Sequence, residues 1–64
     1  MTRKNLKAAR IEKGMTQQQV ADKIGISLVH YQKIEEGSRT GSFYIWDNLE
    51  DLFSIHQRKL RELL

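Results

Sequence analysis

The window "TQQQVADKIGISLVHYQKIEEG", residues 16–37, constrains this chain more than any other feature, because it holds two sets of helix start and stop signals separated by a single turn. Thr16, with Gln19 three residues on, has the form of a capping box, in which each side chain satisfies an orphan backbone N–H of the other's residue. Gly25 supplies a stop, since glycine accepts the left-handed backbone that other residues resist. Ser27 reads as a second N-cap and Gly37 as a second stop. Between these marks Val20, Ala21 and Ile24, then Tyr31 and Ile34, recur at the spacing that lines one side of a helix. The small Ala21 lets two such helices pass closely, and Tyr31 and Ile34 lock the second across the first.

The rest of the chain has the same periodicity, and no stretch alternates with period two long enough to argue a strand. An all-α fold of five short helices is therefore expected. The first spans roughly residues 3–13, with Thr2 as its cap, Leu6 and Ala9 facing inward and Gly14 as its stop. A fourth helix follows the cap Ser42, with Phe43, Trp46, Leu49 and Phe53 as its inward row and Ile55 as a core plug. The last, "HQRKLRELL", is opened by the Ser54 and Gln57 pair and offers Leu60, Leu63 and Leu64. Sixty-four residues make one domain, 1–64, whose core is a single thin layer of side chains.

Composition narrows the function. There is no cysteine, and two isolated histidines give no metal-ligand spacing, so neither metal nor cofactor is expected. No apolar run suits a membrane span or a secretory signal, and a cytoplasmic location is expected. Net charge is +3, unevenly spread: through Gly41 there are eight Lys or Arg against four Asp or Glu, and from Ser42 onward three against four. The basic portion suggests an anionic partner. Asp47, Glu50 and Asp51 share helix four with no nucleophile or phosphate loop beside them, so they read as a solvated face and no enzyme is expected.

These marks together resemble the lambda-repressor-like, or Cro and phage-repressor type, DNA-binding family. "LKAARIEKGMTQQQVADKIGISLVHYQKIEEGSR" is similar to that family's first three helices and "GSFYIWDNLEDLFSI" to its fourth. Thr16 and Gln17, Ala21 with Gly25, "IEEG" at 34–37 and the following Arg39 carry the likeness. Gly41 stands where the family usually has proline, and Phe43, Trp46, Glu50 and Phe53 are also departures. The resemblance implies a compact five-helix bundle in which helices two and three form a helix-turn-helix, and a function in transcription regulation, repressor-like, on double-stranded DNA. It further implies that Arg10 on helix one pairs with Glu35 before the closing glycine.

On helix three, with Tyr31 and Ile34 inward, the outward arc holds Val29, Gln32, Lys33 and Glu36, and Leu28 projects from the leading end. In the family this surface enters the major groove, which makes Leu28, Val29, Gln32 and Lys33 the expected base contacts, the first two on thymine methyl groups. Leu28 and Val29 are also open to two other readings, ordinary surface scatter or a protein partner. Gln17, at the positive leading end of helix two, suits a phosphate oxygen. Arg39 and Ser42 are its expected companions on the same strand, with Gln18, Lys23 and His30 as further phosphate candidates. Short relatives bind as dimers, and Ile45, Leu52 and Leu60 are the expected homodimer interface. The competing reading is a protein-interaction module on the same fold, such as an antitoxin or partner-controlled regulator.

Overall fold

The computed structural model describes all residues, Met1–Leu64, as five helices without strands, the class that the periodicity predicts. The order is α1 (Lys4–Glu12), α2 (Gln17–Ile24), α3 (Leu28–Glu36), α4 (Phe43–Phe53) and α5 (Gln57–Leu60). The α2 start is the reciprocal capping box: Thr16 Oγ1 accepts from Gln19 N at 3.1 Å, and Gln19 Oε1 accepts from Thr16 N at 2.8 Å. Ser27 caps α3 through His30 N at 3.1 Å, and Ser42 caps α4 through Ile45 N at 3.3 Å. Gly25 and Gly37 close α2 and α3 in the left-handed region. These local signals set α2 against α3, the most extensive helix pair in the molecule.

The core is one cluster to which every helix contributes. Leu6 and Ala9 come from α1, Val20, Ala21 and Ile24 from α2, Tyr31 and Ile34 from α3, Ile45, Trp46, Leu49 and Phe53 from α4, and Leu60 from α5. Ile26 packs against it from the turn, as do Met15 and Leu52. No helix is long and apolar enough to cross a membrane.

Four features of the second half differ from the sequence reading. Phe43 is 81% exposed, and Ile45, at 4%, takes the core position. At 100° per residue, the centre of the arc formed by Ile45, Trp46, Leu49 and Phe53 lies roughly 100° from Phe43 and about half that from Ile45, so the first-turn phenylalanine falls outside the stripe. Ile55 is 37% exposed, and the plug is Leu60, whose side chain is fully buried. Ile45 and Leu60 therefore belong to the core and not to a dimer interface, and Leu52 lies half-buried against that core. Ser54 does not open α5. It ends α4 at φ 55°, donating its N–H to Glu50 O at 2.8 Å, while His56 is the α5 cap. Gln57 instead bonds Asp47 and Glu50 with its side-chain amide, at 2.8 and 3.1 Å, and the bonds that its side chain and then its backbone N–H make to Glu50 hold that carboxyl below the usual range.

The first residues also depart from expectation. Thr2 does not cap α1; the N-cap is Arg3, which makes no side-chain capping bond. Residues 1–3 lie across the end of α3 instead. Arg3 N donates to Glu35 O at 2.8 Å, and Leu64 N donates to Thr2 O at 3.1 Å, so the two chain ends meet. Gly37 sits under this crossing at φ 92°, where an added Cβ would overlap the Met1 carbonyl oxygen.

Candidate nucleic-acid interface

Turning α3 so that Tyr31, Ile34 and Glu35 are buried leaves Val29 59% exposed and Leu28, His30, Gln32 and Lys33 half-buried along the outer side. The register of that helix is held from beneath by Glu35. Arg10 reaches it from α1 as a two-pronged fork, Nε to Oε2 and Nη2 to Oε1, both at 3.0 Å, and its Nη1 donates to Met15 O at 3.0 Å. This geometry matches a guanidinium to a carboxylate plane and joins α1 to both α3 and the turn before α2. Burial opposes the ionisation of Glu35, but the hydrogen bonds from Arg10, with the longer one from Gln17, win and hold its carboxyl below the usual range. Those same bonds to Glu35 raise the Arg10 pKa above its ordinary value. The Tyr31 hydroxyl, buried beside the pair, makes no hydrogen bond; burial first, then the neighbouring carboxylate, push its pKa up.

The ion pair extends outward through amides. Gln17 Nε2 donates to Glu35 Oε1 at 3.4 Å, and Gln17 Oε1 accepts from Gln32 Nε2 at 3.2 Å. Gln17 thus couples the first turn of α2 to the outer side of α3, and one charged fork deep in the domain fixes two of the polar groups at its surface. A polar cleft opens there, lined by Gln17, Gln32, Glu35 and Glu36 together with Thr2 and Lys7. Nothing in the sequence distinguishes Lys7 from the other solvated lysines in and beside α1; only the crossing of α1 over α3 brings it here.

Around this centre the other candidates are distributed unevenly. Lys33 O gathers the N–H groups of Gly37, Ser38 and Arg39 at 3.1, 3.0 and 3.2 Å, so the segment carrying Arg39 is wound back onto α3. Ser42 spends an oxygen lone pair as the α4 cap, which leaves its O–H free to donate. Gln18 is turned toward Asp22, donating at 2.8 Å along α2. Lys23 is not gathered with Gln17 and Gln32; it lines a hollow with Gly14, Met15, Gln19 and Asp22 beside the α1–α2 turn. No three His, Asp or Glu side chains are grouped as metal ligands.

The residue that sequence reading missed altogether is Arg3. It is 4% exposed and donates to Ile34 O and Arg39 O, both at 2.7 Å, and to Arg61 O at 3.1 Å. All its acceptors are backbone carbonyls 31 or more residues away, so no local pattern of residue types records the contact.

Two capped helices packed across a tight turn, the second with a polar and partly apolar outer side, define a helix-turn-helix DNA-binding domain. The sequence profile described as helix-turn-helix matches residues 6–55, most of the chain, and the chain belongs to that lambda-repressor-like family, a DNA-binding and non-enzymatic one. No curated protein matches the chain significantly.

Proposed function

We propose that this chain is a sequence-specific transcription regulator of the repressor-like kind that binds double-stranded DNA with α3 in the major groove. The observation that carries the reading is the outer side of α3: Val29 is exposed and unpartnered in the domain, with Leu28, Gln32 and Lys33 beside it, and Gln32 is tied to Gln17 at 3.2 Å. Leu28 and Val29 then meet thymine methyl groups, while Gln32 and Lys33 supply hydrogen bonds to base edges. Gln17, Arg39 and Ser42 hold phosphates, with His30 and Gln18 at the margin of that contact. The whole chain acts as one domain in the cytoplasm. Two copies on a palindromic site place their α3 helices one DNA turn apart, about 34 Å, and that dimer uses surface other than the buried Ile45 and Leu60.

A protein-interaction module is the second reading, favoured by Phe43 and Tyr44, which are exposed side by side at the start of α4. The experiment is an amide chemical-shift titration with a mixed-sequence duplex of about 20 base pairs, two helical turns, at low and moderate salt. The DNA reading expects Gln17, residues 29–33 and Arg39 to shift together, with steep weakening by salt. Stationary amides in those segments, or a response confined to the start of α4, would transfer the function to a protein partner.

A further inference from the structure

The segment between α3 and α4 has no helix of its own, yet it carries Arg39 and ends at Ser42. Its carbonyls are held by side chains from beneath. Arg39 O accepts from Arg3 Nη1 at 2.7 Å, and Thr40 O accepts from the indole Nε1 of Trp46 at 2.6 Å. The same Arg3 nitrogen donates to Ile34 O in the last turn of α3, and Arg3 Nε donates to Arg61 O just beyond α5. The Arg3 guanidinium carbon lies 5.2 Å from the Trp46 ring centroid, and that of Arg61 lies 5.9 Å away. One arginine thus links α3, the α3–α4 segment and the end of α5, with a tryptophan from α4 completing the grip.

Arg3 forms no salt bridge; the one salt bridge of the molecule joins Arg10 and Glu35. Its charge is compensated by three carbonyls, by the negative end of the α3 dipole and by the Trp46 face. Desolvation, and then repulsion from Arg61, lower its pKa from the ordinary value. A hydrocarbon side chain would fill this space without desolvating a charge, so stability alone gives little reason for an arginine here. What the guanidinium adds is direction, since it fixes carbonyls on separate segments at once. The passage is close at Gly41 too, where an added Cβ would stand 3.0 Å from Trp46 Nε1.

We infer that Arg3 and Trp46 are positioning residues for DNA binding, which hold the backbone of residues 38–41 in the shape that presents Arg39 and Ser42 to a phosphate. The inference rests on the DNA reading of α3. Neither side chain touches DNA; both act through the two carbonyls at 39 and 40.

Arg3→Lys removes the fork and Trp46→Phe removes the indole N–H while keeping an aromatic ring in the core, so the second variant carries the test if the first fails to fold. In the free protein, backbone order parameters at residues 39–41 fall in both variants; unchanged order would overturn the grip whatever the protein binds. With the same mixed-sequence duplex, each variant loses affinity about three- to tenfold, and the slope of log K against log salt becomes shallower by about one, as it does in Arg39→Ala. Added to Arg39→Ala, Trp46→Phe costs less than it does alone, because one of the two contacts it positions is already gone. Additive losses, or an unchanged salt slope, would overturn the positioning role while leaving DNA binding intact. A parent protein with no salt-dependent affinity for the duplex would instead overturn the DNA reading, and the role with it.

Discussion

The α2–α3 unit and the α4–α5 end of the chain enclose the same core, but they are built differently. In α2–α3, residues three or four apart in sequence set every boundary: Thr16 with Gln19, Ser27 with His30, Gly25 and Gly37 at the ends. In the other region the decisive contacts are remote, with Leu60 under α1 and α4, Gln57 on Asp47 and Glu50, and Arg3 between Trp46 and Arg61. The lesson is that α2–α3 holds its shape by local hydrogen bonding and is then aimed by distant charges, whereas α4–α5, though capped locally at Ser42 and His56, is placed by remote packing and hydrogen bonds.

The largest expected effect tests the join between the two. Glu35→Ala leaves Arg10 partly buried and unpaired, and we expect a loss on the order of 3–5 kcal/mol, read as a fall in melting temperature. A melting temperature within a degree or two of the parent would show that the fork does not hold α1 to α3. The same pair gives an acid signature. Because the folded Glu35 carboxyl lies below its unfolded value, its contribution is complete above the ordinary carboxylate range and is lost as pH falls through the folded value. Glu35→Gln should flatten stability against pH in that acidic window and leave the slope at neutral pH alone, as denaturant titrations at several pH values would record.

Next in size is Leu60→Ala, with an expected loss of about 2–5 kcal/mol for a filled core position. If this variant lost less than about 1 kcal/mol, α5 would be a frayed end, and the packing account of the second region would break. Thr16→Ala should lose about 1 kcal/mol, the value of an N-cap, in chemical denaturation. Ser54→Gly provides the contrast: at φ 55° a serine stands in backbone that suits glycine, so this change should be neutral or stabilising by up to about 1 kcal/mol. Smallest of all, Phe43→Ser should stay within about 0.5 kcal/mol in stability, since the ring is exposed.

The contrast also explains what could be read in advance. Thr16, Ser27 and Ser42 were legible as caps because a hydroxyl three residues before a helix N–H needs nothing else to act. Tyr31 and Ile34 were legible as core because their spacing fixes one helix side. Helix α4 misled because Phe43, Ile45 and Trp46 are all large and apolar within one turn, and hydrophobicity alone does not choose between neighbouring arcs. Ser54 misled because its place before Gln57 imitates a capping box, whereas its backbone is already committed to ending α4. Arg3 was beyond reach, since its acceptors are carbonyls that every residue possesses. At the interface, the outward position of Val29 follows from helix phase, but the bond between Gln17 and Gln32 depends on how α2 crosses α3, which no spacing in the sequence encodes.

The bond from Leu64 N to Thr2 O, 3.1 Å long, sets residue 64 beside residue 2, so the backbone comes close to closing on itself. Covalent circularisation would therefore need only a short glycine linker, and new ends cut at Lys13–Gly14, an exposed corner, would leave all five helices uninterrupted. In that permuted order α1 would follow α5 in sequence as it already adjoins it in space, and the contact now closed last along the chain would become a neighbouring one.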